Sequence, residues 1–325
     1  MTVRPWHRRW LLRTLGPGVG IAICAGSLQA QATVDRTAAP YVVVLGIAQD
    51  GSVPQAGSKD HPAWKNPDLR RLVVSLGLVA PASGGRWLFE ATPDFREQLH
   101  RLDEIAPVDD VPGLDGIFLT HAHIGHYTGL MFLGHESLGA RRVPVYAMPR
   151  MADYLATNGP WGQLVRYENI VLQRLEHEIS VSLGNGLTVT PFLVPHRQEY
   201  AEVVGFRIEG PSRSVLFIPD IDSWEDWDET GSRIESAIAG VDVAYVDGSF
   251  YANGEIPGRD MTGFPHPFIT HSMQRFMDLA PAEKAKVRFI HLNHTNPALL
   301  VDGEARKQIE QSGFRVADEG EKVEL

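Results

Sequence analysis

The segment His121-Ala122-His123-Ile124-Gly125-His126 puts three imidazoles within six positions. The chain holds 13 His in 325 residues, and at that frequency chance supplies roughly 0.02 such triplets. His121 and His123 stand two apart, directly after the apolar run Gly116–Thr120. In an extended segment their side chains point to the same side. His126 falls near the first turn of the next helix, where a tight bend brings it beside them. Neutral imidazole suits zinc, iron and similar ions, and its near-neutral pKa makes loss of the proton easy. The chemistry that this pattern offers is metal binding.

Other metal-type residues recur at the ends of apolar runs. His196 follows Leu187–Val194, and Asp220 follows Val215–Ile218. His291 sits late in Val287–Leu292, with His294 close behind in His291-Leu292-Asn293-His294-Thr295-Asn296-Pro297. Asp50 follows the first apolar run in Gln49-Asp50-Gly51, and His266 lies between Pro265 and Pro267. A polar residue that closes an apolar strand lies at a sheet edge, where sites are usually built. The single cysteine, Cys24, lies near the N-terminus. The rest of the chain therefore has neither a disulfide nor a thiolate ligand, and a metal must use His and carboxylates.

The elements that must position these residues are legible as periodicity. Tyr41–Ile47, Arg71–Val79, Arg86–Glu90, Gly116–Thr120 and Val143–Ala147 read as strands. Ile179–Leu183, Leu187–Val194, Val203–Ile208, Val215–Ile218, Val241–Val246 and Val287–Leu292 form a second set, and Phe314–Ala317 reads as a final short strand. Helices are expected over Asp94–Leu102, Thr128–Gly139, Met151–Thr157, Pro267–Leu279 and Gly303–Ser312. Trp224-Glu225-Asp226-Trp227-Asp228 reads as an exposed helix start. Strand-rich halves broken by helices point to an α/β (α+β) fold, with two sheets packed face to face and helices outside.

Residues 1–32 read as an export signal, leaving 33–325 as the folded part. Arg4, Arg8, Arg9 and Arg13 precede an apolar run from Leu15 to Leu28, and Ala30-Gln31-Ala32 fits a signal-cleavage pattern. Arg8-Arg9-Trp10-Leu11-Leu12 also suits a twin-arginine signal, so the expected location is periplasmic or secreted. The apolar run is too short and too rich in Gly to span a membrane. Removing its four Arg from the 30 Lys and Arg leaves 26 against 40 Asp and Glu, a net charge of about −14. Such a surface argues against nucleic acid or anionic lipid as a partner and leaves a small-molecule substrate. Oligomeric state is not legible.

His-x-His-x-x-His after a strand, then a lone His, an Asp and a final His at successive strand ends, resembles the metallo-β-lactamase fold superfamily. The resemblance covers nearly all of residues 41–317. Val44-Leu45-Gly46-Ile47, Thr128-Gly129-Leu130 and His291–Pro297 are similar to the branch of pyrroloquinoline-quinone biosynthesis protein B. The chain is also similar to the phosphodiesterase branch that includes ribonuclease Z and cyclic-phosphate hydrolases. The resemblance implies a four-layer αββα sandwich of two mixed sheets. It implies one metal position from His121, His123 and His196, with Asp220 bridging to a second that uses His126 and His291. The family usually sets an Asp just before the third His of the triplet; here that residue is Gly125. Asp50, Asp222 and His294 are the candidates to replace it, and a single ion is the other outcome. The paired cysteines of many quinone-biosynthesis members are absent from Gln49–Asp60.

The function expected from this is metal-assisted hydrolysis of an ester-like bond, such as a phosphodiester or lactone. Zinc would be the cofactor as one or two ions, with Fe or Mn as substitutes. Asp220 would orient water, Asp50 would orient a ligand His, and His266 would donate a proton to the leaving oxygen. Two alternatives remain: an iron-dependent oxygenase-type enzyme, and a periplasmic metal-binding protein without catalysis. No Gly-rich phosphate loop is present, and Ser249 lacks the setting of a serine nucleophile.

Overall fold

The computed structural model describes residues 35–325. The expected export signal, residues 1–32, lies outside the described residues. In chain order the first half contributes β1 (Tyr41–Gly46), β2 (Ser75–Ala80), β3 (Gly85–Phe89), α1 (Phe95–Ile105), β4 (Gly116–Phe118) and α2 (Ile124–Tyr127). β5 (Val143–Ala147), α3 (Pro149–Thr157), α4 (Trp161–Arg166) and β6 (Ile170–Arg174) come next. The second half contributes β7 (Val181–Gly184), β8 (Leu187–Leu193), β9 (Val204–Glu209), β10 (Ser214–Ile218), α5 (Trp224–Glu229) and α6 (Ile234–Ala239). It continues with β11 (Val243–Asp247), α7 (Ile269–Arg275), α8 (Pro281–Lys284), β12 (Val287–Ile290), α9 (Glu304–Gln311), β13 (Arg315–Val316) and β14 (Lys322–Glu324).

Two seven-stranded sheets result, ordered β14-β1-β2-β3-β4-β5-β6 and β13-β12-β11-β10-β9-β8-β7. Each is antiparallel in one half and parallel in the other. β1 explains why the first sheet reads as a continuous apolar run. Val42 and Val44 pack between the sheets, while Val43 and Leu45 pack on the opposite face with residues of α1, α3 and α4. A strand buried on both faces has no polar side to alternate with. The interior between the sheets holds an aromatic knot. Phe89 and Phe118 stack at 5.1 Å, and Phe206 meets them edge-on at 5.5 and 5.7 Å. Phe89 and Phe118 are the last residues of β3 and β4, so the knot lies directly beneath the loops that leave those strands.

Several elements differ from expectation. The helix expected over Thr128–Gly139 is a 3-10 turn over Thr128–Leu133. Gly129 lies against the chain at Ala91–Thr92, where an added Cβ would stand 2.1 Å from the Thr92 carbonyl oxygen. That backbone contact, with Gly134 and Gly139 beyond it, stops a regular helix. The helix expected over Pro267–Leu279 is confined to Ile269–Arg275. α4, β6 and β14 were not expected at all; β14 is a three-residue edge strand whose Val323 alone is buried in it. α5 does begin at a helix start, with Ser223 capping Asp226 N–H at 3.0 Å, but Trp224 and Trp227 are buried, not exposed. Among the described residues no helix is long and apolar enough to cross a membrane.

Candidate metal centre

The ends of β1, β3, β4, β8, β10, β11 and β12 open on the same edge of the sandwich, and each delivers a polar residue there. β4 leads to His121, β8 to His196, β10 to Asp220 and β12 to His291. α2 begins right after His123 and turns His126 back beneath the pair. Ala48 bridges Leu292, which ties the loop after β1 to the loop after β12 and sets Asp50 beside His291.

Two sets of donor atoms converge. His121 Nε2 lies 2.8 Å from His123 Nδ1, and His196 Nε2 lies 3.2 Å from that same Nδ1. Asp220 Oδ2 is 3.4 Å from His121 Nε2 and 3.3 Å from His196 Nε2. Metal–ligand bonds of 2.0–2.2 Å in a tetrahedron place the ligand atoms about 3.3–3.6 Å apart; the contacts to Asp220 match that spacing, and those to His123 Nδ1 are shorter. The second set shares Asp220. Its Oδ2 is 3.6 Å from His126 Nε2 and 3.9 Å from His291 Nε2. Asp50 Oδ1 completes it at 3.2 and 3.4 Å from the same two nitrogens. Among the described residues the first set could hold an ion, as could Asp50, His126 and His291 of the second, and Asp220, Asp247, His266 and His291 form a third such grouping.

The far nitrogen of every ring but that of His126 has a hydrogen-bonding partner, and His126 Nδ1 faces Glu90 without a hydrogen bond. Thr120 Oγ1 is 2.8 Å from His121 Nδ1, Glu199 Oε2 is 3.1 Å from His123 Nε2, and Asp222 Oδ1 is 2.6 Å from His196 Nδ1. Glu90 Oε1 is 3.4 Å from His126 Nδ1, and Ser249 Oγ is 2.8 Å from His291 Nδ1. Such outer partners fix the tautomer and aim the inner nitrogen at the ion. Glu90 and His291 both adopt left-handed backbone, with φ of 78° and 65°. Non-glycine residues held there carry strain that the surrounding structure must impose, and strain of this kind gathers at functional sites.

Charge is set by the crowding. Burial alone would neutralise Asp220, but the imidazoles of His196, His291 and His266 hold its carboxyl well below the usual range. Burial likewise opposes charge on His126, and Glu90, Asp220 and Asp50 outweigh it and raise its pKa well above normal. Burial, reinforced by His126, pushes His121 well down. Against the effect of burial, Asp220 and Asp222 push His196 up to about 10.

All six ligand candidates from the sequence meet here. Of the two late histidines it is His291 that faces the cluster; the backbone carbonyl of His294 instead meets His61 Nε2 at 3.2 Å. Asp50 was expected either behind a ligand ring or in place of the missing carboxylate, and it lies among the inner nitrogens. His266 was expected at the leaving group, and its Nδ1 is 2.8 Å from Asp247 Oδ2, 3.2 Å from Asp220 Oδ1 and 3.2 Å from Ser249 Oγ. Sequence reasoning missed Glu90, Glu199 and Asp247 and gave Ser249 no role. Glu90 and Asp247 each close an apolar strand, the same signal that singled out Asp220. Glu199 sits in a polar loop and carries no such signal. The side chains of Asp50 and His123 are 33% and 17% exposed, whereas those of His126, His196 and His291 are fully buried. Access is therefore past Asp50 and His123. A cleft of about 300 Å³ opens at Asp50, lined by Gln49, Gly51, Gln55, Ile124 and Asn293. A larger cavity of about 690 Å³, between His61 and His294, contains none of the clustered donors.

Comparison with known proteins agrees with this geometry. The family model described as the beta-lactamase superfamily domain matches residues 86–284. Coenzyme PQQ synthesis protein B of Methylobacterium sp. (strain 4-46) is 26% identical over 302 residues, covering 86% of this chain and 97% of its own. The protein of the same name from Xanthomonas axonopodis pv. citri (strain 306) is 26% identical over 309 residues, covering 87% and 99%. The crystal structure of Zn(2+)-bound PqqB from Methylobacterium extorquens matches with a TM-score of 0.72 at 24% identity, over 88% of this chain and 100% of that one. A diphosphatase from the PhnP family matches with a TM-score of 0.63 at 23% identity, over 89% and 98%. With two mixed sheets, helices on their flanks and a His/carboxylate cluster at the shared edge, the chain belongs to the beta-lactamase superfamily, has the metallo-β-lactamase fold and is similar to the PQQ synthesis protein B branch.

Proposed function

We propose that this protein is a zinc-dependent hydrolase that cleaves an ester-like bond, a phosphodiester foremost, in a small substrate. The observation that carries the reading is the donor cage of His121, His123, His196 and Asp220, with edges of 2.8 to 3.4 Å and every ring anchored from behind. His121, His123, His196 and Asp220 would hold a divalent ion there, and it would supply Lewis acidity toward water, lowering its pKa from 15.7 toward about 7, and toward the substrate's phosphoryl or carbonyl oxygen.

The protein's own residues do the rest. Asp220 is shared by the two donor sets and offers Oδ1 toward His266. Asp247 is itself fixed by the N–H groups of Ile221 and Ser249 at 3.1 and 2.8 Å, and it engages His266 Nδ1. That leaves His266 Nε2 as the nitrogen that can deliver a proton to the leaving oxygen, a role worth roughly 10²–10⁴ in rate. Asp222, Thr120 and Ser249 keep the ligand rings in register. The similarity to a PhnP-family diphosphatase supports a phosphorus ester as substrate, and the zinc in PqqB supports the choice of ion. The charge and apolar pattern of residues 1–32 supports export of the mature chain to the periplasm or out of the cell.

The test is a substrate panel. Protein stripped with a chelator and reloaded with zinc, manganese or iron is assayed on phosphodiester, lactone and β-lactam substrates, beside His121→Ala. Zinc-restored cleavage that disappears in His121→Ala is the expected result. A hydrolytic rate untouched by His121→Ala, or oxygen consumption by an iron-loaded protein that hydrolyses nothing, overturns the reading.

A further inference from the structure

A Cβ placed on Gly125 would lie 2.3 Å from Asp50 Oδ1, 2.5 Å from Asp50 Cγ and 2.6 Å from Asp50 Cα. Nonbonded carbon and oxygen atoms do not approach so closely. Any side chain at position 125 therefore collides with both the carboxylate and the backbone of Asp50 where they now stand. That carboxylate faces the second donor set. The same Asp50 Oδ1 is 3.2 Å from His126 Nε2 and 3.4 Å from His291 Nε2.

We infer that Asp50 is the terminal carboxylate ligand of a second cation position, with His126, His291 and Asp220, and that Gly125 is the space that admits it. The carboxylate of this position comes from the loop after β1. The inference rests on the metal reading above.

An outer role for Asp50, orienting a ring from behind, is excluded by which atoms it meets. Orientation requires contact with Nδ1 of His126 or His291, and those nitrogens face Glu90 and Ser249 instead. Asp50 meets both rings at Nε2, the side that also faces Asp220. Its loop is built to hold it there. Gln49 N–H donates to the Leu292 carbonyl at 2.9 Å, and Asn293 Nδ2 donates to Gln49 Oε1 at 2.5 Å. Ser52, with φ of 60°, closes the turn by donating its N–H to the Gln49 carbonyl at 2.9 Å, and its hydroxyl donates to Asp94 Oδ2 at 2.6 Å. A ligand on a pinned loop keeps its geometry without the ion, as binding sites require. The exposure of Asp50 makes the second position the one nearer solvent.

The experiment counts zinc per chain by elemental analysis after loading and gel filtration. It compares wild type, Asp50→Ala and Gly125→Ala, with melting temperature in the presence and absence of zinc as a second readout. Wild type is expected to hold two ions and each variant one. Two ions retained in Asp50→Ala or in Gly125→Ala overturn the inference, as does a wild type with one ion that Asp50→Ala leaves in place. A wild type that binds no zinc removes the metal reading itself, which is a distinct result.

Discussion

Asp222 Oδ1 lies 2.6 Å from His196 Nδ1, and this contact turns His196 Nε2 toward His123 and Asp220. Asp222 never reaches the cage, so its effect is on aim and on ring basicity. Asp222→Ala is expected to weaken zinc affinity roughly 10- to 100-fold. Its side chain is 27% exposed, so the fold should tolerate the change. Competition with a chromophoric chelator measures the affinity, and unchanged circular dichroism confirms the fold. An affinity within about twofold of wild type would remove Asp222 from the site.

Ser249 separates metal chemistry from serine chemistry. Its hydroxyl lies between His291 Nδ1 and His266 Nδ1, in a buried setting that mimics an activated serine. On the metal reading it only positions rings. Ser249→Ala should then keep a measurable rate, lowered about 10- to 100-fold as for other outer partners of a metal site. His121→Ala should fall to background. The reverse ranking would mean that the hydroxyl is the nucleophile.

Proton linkage gives a third expectation. In the metal-free protein His196 is raised to about 10 from its ordinary 6.5. A raised imidazole pKa means that the folded state binds more protons than the unfolded one. The stabilisation is complete below 6.5 and is lost as pH rises through about 10. The melting temperature of stripped protein should therefore fall between pH 7 and pH 10, apart from any general alkaline loss, more steeply than that of His196→Ala. Zinc must displace that proton, so loading at pH 7 should release about one proton from this residue. Calorimetry in buffers of different ionisation enthalpy reads the number, and no release would contradict the protonated apo site.

Phe206 tests the platform under the centre. Its ring meets Phe89 and Phe118 across the two sheets, and it is fully buried. Phe206→Ala should cost about 3–5 kcal/mol through the cavity it leaves. Denaturant unfolding measures this. A cost below about 1 kcal/mol would show that the sheets repack freely, contrary to a close-packed interior.

The sequence made the ligands legible because each sits where an apolar strand stops. A buried strand ends in a polar residue only where something requires it, and His121, His196, Asp220 and His291 all obey that rule. The same rule applied to Phe89-Glu90 and Val246-Asp247 would have found two more site residues. Asp50 was legible as one of three candidates for the missing carboxylate, but nothing in the sequence singled it out. Its position depends on a bridge between Ala48 and Leu292, some 240 residues apart, and on the missing Cβ of Gly125. Local pattern carries neither. The same limit explains the shortened helix at Thr128: its break comes from Gly129 packing on the Ala91–Thr92 backbone, a tertiary contact that overrides helical spacing. β14 was invisible because three residues of an edge strand hold too little periodicity to read.

The central claim is that imidazoles from distant parts of the chain meet around one cation. X-ray absorption at the zinc edge of the loaded protein tests it most directly. The account predicts a first shell of nitrogen and oxygen at about 2.0–2.2 Å, with the outer-shell scattering of about three imidazoles per ion at the His121, His123 and His196 position. An ion surrounded by oxygen alone, or one whose imidazole scattering survives unchanged in His121→Ala, would contradict it.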